Sequence, residues 1–198
     1  MLTATYTLVA LAVEQSKARA SVQALQQGLL ASFSAHHRLS AGQVGYACDA
    51  LRRINEHCQW RKLELFLVPA IRRASAASAP LLVDLEALSD LAAVRLAELG
   101  GPMGAVALDG DAAVARFCAA IDAFCTAILC RLEREERELF PVARAAISGE
   151  NWFAIANQML VHDAYEQETK PARQPVMLGL PTRTERAAER GCAAGLSD

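Results

Sequence analysis

Glu136-Arg-Glu-Leu-Phe-Pro141-Val-Ala-Arg144 repeats, in outline, the earlier stretch Glu64-Leu-Phe-Leu-Val-Pro69-Ala-Ile-Arg72. Each copy closes a long run of helical periodicity. The segments suited to partner them also come twice, Leu8-Val9-x-Leu11 running to Leu25 and Leu82-Val83-x-Leu85 running to Leu99. Two similar helix pairs predict an all-α fold, an antiparallel up-down four-helix bundle. In such folds the buried midpoint is where facing helices place metal ligands.

Working outward, 198 residues of which 53% are apolar suit one domain over residues 1–170 with a sizeable core. The net charge of -2, from 20 basic and 22 acidic residues spread along the chain, carries no footprint for nucleic acid or anionic lipid. Neither is expected as a partner. Leu2 to Val13 is uncharged, but it has no basic leader and is too short to span a bilayer, so it is expected to be a buried helix start. The six cysteines, Cys48, Cys58, Cys118, Cys125, Cys130 and Cys192, form no CxxC pair and no zinc spacing. They are expected to be small buried hydrophobes with reduced thiols in a cytoplasmic protein.

The first helix is predicted from about Thr5 to Phe33, on the spacing of Leu8, Leu11, Val22, Leu25, Leu29 and Leu30. A polar corner follows at Ser34 to Ser40. Helix two spans about Ala41 to Ala74, with Ala47, Leu51, Ile54 and Cys58 on one stripe and Pro69 placed to bend it. Helix three opens at Pro80 and stops at Gly100-Gly101-Pro102. Asp109 or Asp111 is expected to cap helix four, which continues through the Phe-Pro motif to about Ile147. A short fifth helix runs from Asn151 to about Glu168. Residues 171–198, broken by prolines and glycines, are expected to be a loosely packed tail with one helical turn near Arg183 to Arg190.

Helix four has an inward stripe of Ile121, Cys125, Ile128, Leu132, Glu135, Leu139, Val142 and Ala146, in which Glu135 is the one charged member. A carboxylate on an apolar seam is costly unless a cation, a metal or hydrogen-bond donors satisfy it. Arg131 lies one turn earlier, within reach of that carboxylate, so an internal ion pair is the expected arrangement and a metal the alternative. Glu133 with Arg137 and Arg134 with Glu138 read as solvated surface pairs. His36-His37 in the corner and His162-Asp163 in helix five read as surface residues. Trp60, Trp152, Phe66, Phe117, Phe124 and Phe140 fall at helical spacing and read as core.

The stretch Arg131-x-x-x-Glu135-Glu136-x-x-Leu139-Phe140-Pro141 resembles the His-x-x-x-Glu-Glu-x-x-Leu-Phe-Pro ending of the hemerythrin-like (HHE cation-binding) family, with arginine in place of histidine. The opening Thr7-Leu-Val-Ala-Leu-Ala-Val-Glu14-Gln15 and the segment Trp152-Phe-Ala-Ile-Ala156 extend the resemblance from about Leu8 to Ala164. It implies a bundle holding a non-haem di-iron centre through helix histidines and glutamates. Residue by residue, Gln15, Ser89 and Arg131 stand at histidine positions of helices one, three and four, and Glu135 is the ligand position retained. Helix two allows two registers. Counting back from Pro69 places Gln59 and Leu63 at the ligand positions, whereas following the upstream stripe places His57 beside Arg131, with Arg61 as its partner. A local bulge would reconcile the two.

Two irons need about five or more protein donors, so an empty or remodelled centre and no cofactor are expected. Gln15, Gln59, Ser89, Arg131 and Glu135 should line the former site, as a self-satisfied network or a pocket for a small anion. The alternative is a working iron site built from Glu135, His57 and Glu64, serving oxygen binding, iron handling or oxidative-stress sensing. No catalytic residue is evident, so the chain reads as a non-enzymatic binding or regulatory module, with a protein partner or a homo-oligomer as further expectations.

Overall fold

A computed structural model describes residues 2–100 and 106–169. The expected tail, its helical turn and Cys192 lie outside the described residues. The fold is all-α: α1 (Leu2–Phe33), α2 (Ala41–Gln59), α3 (Val68–Ala74), α4 (Ala79–Gly100), α5 (Asp111–Arg134), α6 (Phe140–Ala146) and α7 (Gly149–Thr169). The chain divides between Val161 and His162 into two units, and the packing described below belongs to the first.

Five-residue π-helical turns, Leu63–Leu67 and Glu135–Leu139, lead into α3 and α6. Each begins six residues before the proline of its motif. Proline donates no amide hydrogen and its ring crowds the carbonyl four residues back, so an α-helical register cannot run through it undisturbed. The wider turn accommodates this, with Val68 N–H donating to Leu63 O and Phe140 N–H to Glu135 O. It also shifts the inward stripe of the fourth segment by one position. Ala143 and Ile147 are the buried residues beyond Leu139, and the expected Val142 and Ala146 are only half-buried.

The second segment differs from the single helix expected. It breaks at Trp60-Arg61, and the Arg61 carbonyl accepts the first bonds of the resumed helix, from Glu64 N–H at 2.9 Å and Leu65 N–H at 3.1 Å. Trp60 turns outward, 70% exposed, where a core aromatic was expected.

Ser40 caps α2 through a capping box with Gln43. The cap of α5 is not Asp109 or Asp111 but Gly110, whose positive φ of 88° suits glycine. Asp109 instead pairs with Arg38 at 2.9 Å, across an antiparallel two-residue bridge of Arg38–Leu39 with Leu108–Asp109. Asp111 meets the exposed His37.

Contacts show how the long helices face one another. Gln15 meets Glu135, Gln26 meets Asp122, and Phe33 packs on Phe117 with ring centroids 6.2 Å apart, so α1 and α5 run antiparallel. Asp84 meets Arg134 and Ser89 meets Arg131, so α4 and α5 do likewise. The Cys48 thiol donates to Leu99 O, tying α2 to α4. Asp111–Ala146 is also long and apolar enough, by length and composition, to cross a membrane. Here its apolar stripe lies against α1 and α4.

The core has two parts. One contains Ala18, Leu51, Cys58, Ala92 and Leu132, and the other Leu11, Leu63, Leu85, Leu139 and Trp152. In α1, the second segment, α4 and α5 with the turn that follows it, the residues of the two parts flank Gln15, Arg61, Ser89 and Glu135 respectively.

Candidate functional site

Glu135 is fully buried and sits between the two apolar clusters. Both its oxygens are doubly engaged. Oε2 accepts from Arg61 Nη1 at 2.8 Å and from Gln15 Nε2 at 2.6 Å. Oε1 accepts from Arg61 Nη2 at 2.9 Å and from Arg131 Nε at 2.9 Å. A carboxylate has about four acceptor positions, and all are filled.

Arg61 is equally committed. Its remaining donors reach Cys58 O from Nε at 2.9 Å, Gln15 Oε1 from Nη1, and Glu64 Oε1 from Nη2 at 3.2 Å. All of the five N–H groups of a guanidinium therefore have an acceptor, although the side chain is only 1% exposed. The break in the second segment makes this possible. Interrupting the helix frees the Cys58 carbonyl and turns Arg61 inward to cap it.

Arg131 closes the outer side, donating from Nη2 to Glu64 Oε1 at 2.5 Å and from Nη1 to Ser89 Oγ. Gln15 completes the layer by donating to Leu132 O at 2.9 Å. Two carboxylates and two guanidinium groups, with an amide and a hydroxyl, thus form a closed cluster of zero formal charge contributed by all four segments.

The electrostatics follow from burial opposed by pairing. Burial works to raise the Glu135 pKa, and Arg61, Arg131 and the Gln15 amide overcome it, holding the carboxyl below the ordinary range. Glu64 shows the opposite balance. Burial, with repulsion from Glu135, outweighs the pull of Arg131 and Arg61 and leaves its pKa raised. Burial opposes the charge of Arg61, but the Glu135 and Glu64 carboxylates hold its pKa above the usual arginine value.

Of the residues expected to line the centre that the resemblance implies, Gln15, Ser89, Arg131 and Glu135 come together. Gln59 does not join the cluster. It is exposed, and it lines a cavity of about 20 Å³ beside Arg61, Ser89 and Arg131, room for about one water molecule. Of the alternative ligand set, Glu64 and Glu135 both face the cluster, whereas His57 is exposed and outside it. Each helix-two register holds in one member only: Leu63 and Arg61 are buried, whereas Gln59 and His57 are exposed, because the break at Trp60-Arg61 lets Cys58, Arg61 and Glu64 point inward in succession. Arg61, expected only as a partner of His57, is the centre of the network. The signal for it was a charged pair three residues apart, Arg61 and Glu64, at the point where the two apolar registers of helix two disagree.

The chain matches no protein-family model, no curated protein and no solved structure.

The side chains present do not suit the di-iron centre that the resemblance implies. Among the described residues no group of three or more His, Cys, Asp or Glu side chains is placed to hold a metal ion. The two carboxylates that remain already serve guanidinium groups, and arginine carries a permanent charge where a cation would have to sit. Cys58 lines the adjacent cavity, but burial raises its pKa against the pull of Arg61, so its thiol keeps its proton.

Proposed function

We propose that the chain is a hemerythrin-like up-down four-helix bundle in which an ion cluster has replaced the di-iron centre, and that it acts as a non-enzymatic binding or regulatory module. The antiparallel pairing of α1 with α5 and of α4 with α5, together with the placement of Gln15, Ser89, Arg131 and Glu135 in one layer, supports the bundle and its relation to a former metal site. One observation carries the functional reading. Glu135, at the position where the resemblance puts a ligand, has its full acceptor capacity taken by Arg61, Arg131 and Gln15. A metal would have to displace a bidentate guanidinium pair and leave that guanidinium buried, which opposes binding strongly.

The cluster stands in for the metal structurally. Bundle helices that converge on a centre need something polar to fix their register there, and a closed network of charged hydrogen bonds does this. Metal analysis of protein produced with iron supplied should find far less than two irons per chain. Near-stoichiometric iron with an oxo-bridge absorption band would overturn the proposal in favour of a working site in oxygen binding, iron handling or oxidative-stress sensing.

A further inference from the structure

The first half of α1 does not behave as a buried helix start. Leu2, Tyr6, Val9 and Val13 follow one another at helical spacing and are 88%, 73%, 58% and 50% exposed. Among the described residues they form one exposed apolar stripe. Beside it an open groove runs between α1 and the Phe140-Pro141 corner of α6. A contiguous apolar face of this kind on a soluble helix marks an interaction surface.

The charges around the groove indicate what covers it. Leu2 to Val13 carries no charged residue, so the stripe itself offers nothing to select a charged partner or an anionic lipid surface. The groove is bordered by one acid and one base, Glu136 and Arg144, placed on either side of Phe140 and Pro141. They are eight residues apart, about 12 Å along a helix. Arg19 holds Glu136 through Oε2 at 2.5 Å, which leaves Oε1 able to accept. Among the described residues, no ion pair engages Arg144. A two-fold interface applies the same patch twice. An axis passing near Phe140 would bring each Glu136 against the other copy's Arg144, with the apolar stripes between them.

We propose that this face is a homodimer interface, in which the stripe of α1 and the Phe140-Pro141 corner meet their counterparts in a second copy of the chain across two equivalent Glu136–Arg144 ion pairs. The proposal is independent of the ion cluster in the core.

Sedimentation equilibrium of the full chain over a range of concentrations tests it. The wild-type protein should weigh two chains, and Val9→Glu, at an exposed position, should weaken association by about tenfold or more with unchanged helical circular dichroism. The charge variants provide a second readout. Glu136→Arg and Arg144→Glu should each dissociate when alone, since each juxtaposes like charges, yet equimolar mixing should restore a dimer containing one copy of each. A wild-type chain that stays monomeric, because another segment or a different protein covers the face, overturns the proposal. So does a dimer indifferent to Val9→Glu, or charge variants that fail to pair on mixing.

Discussion

The segment that carries Pro69 and the segment that carries Pro141 reach the same π-helical turn by different routes, the first through a helix broken at Trp60-Arg61 and the second through an unbroken one. At the first position of the turn the earlier copy has Leu63, buried in an apolar cluster, and the later copy has Glu135, buried in the ion cluster. Both copies bring an arginine to the layer, but from different places. Arg131 reaches Glu135 from one turn earlier on the same helix, whereas Arg61 reaches it from across the core and needs the break to do so. The repeat is therefore retained in backbone shape and abandoned in chemistry. One copy supplies the central anion, and the other supplies the cation that grips it with two hydrogen bonds.

This asymmetry can be broken most severely at Arg61. Replacing Arg61 by Met should leave Glu135 buried with Arg131 and Gln15 alone and destabilise the fold by about 3–5 kcal/mol, measured by denaturant unfolding. The double variant Arg61→Met, Glu135→Met should recover much of that loss, because no uncompensated charge then remains inside. A double variant no more stable than Arg61→Met alone would show that the two residues are not coupled.

Glu135→Gln keeps the shape and removes the charge, and should cost about 2–3 kcal/mol at neutral pH. Its pH dependence sharpens the contrast between the two carboxylates. A carboxyl whose folded pKa lies below its unfolded value stabilises above that unfolded value, about 4.3 for Glu, and the stabilisation is lost as pH falls towards the folded pKa. Glu135 is such a group. Wild type should therefore lose stability more steeply below about pH 4.3 than Glu135→Gln does. Glu64, with a raised pKa, has the opposite sign, since its contribution is present at low pH and lost as pH rises through its folded value. Glu64→Gln should therefore not flatten the acid limb. An equal flattening by both variants would contradict the assignment of opposite shifts.

The smallest effects belong to the residues on the outer side of the break. His57→Ala and Gln59→Ala should each change stability by less than about 0.5 kcal/mol, as exposed substitutions do. A large loss at either would mean that the upstream register extends into the core after all.

Much of this was legible in the sequence because it depends on periodicity. The apolar spacing of α1 and α5 placed their buried faces, and a lone Glu135 on an apolar stripe required a cation, which Arg131 supplied as expected. The centre of the network was harder to read. Helical periodicity assumes a constant 3.6-residue turn, and the second segment violates it twice within a few residues, at Trp60-Arg61 and again at Leu63–Leu67. A break with no proline or glycine to announce it leaves only a disagreement between flanking registers, and that disagreement does not say which residue turns inward. The exposed start of α1 is hidden from the sequence for a different reason. An uncharged helix reads as buried on every side, yet among the described residues its fully buried face is the one carrying Ala4, Thr7, Leu11 and Gln15.

Arg61 and Arg131 engage both oxygens of Glu135, and we propose that they neutralise it in place of a metal. The most direct measurement is an anomalous-scattering map at the iron edge from crystals of protein produced and grown with iron. No peak is expected beside Glu135, and electron density for the Arg61 and Arg131 guanidinium groups should lie at hydrogen-bonding distance from its two oxygens. A peak about 2 Å from a Glu135 oxygen, with Arg61 turned away, would contradict the proposal.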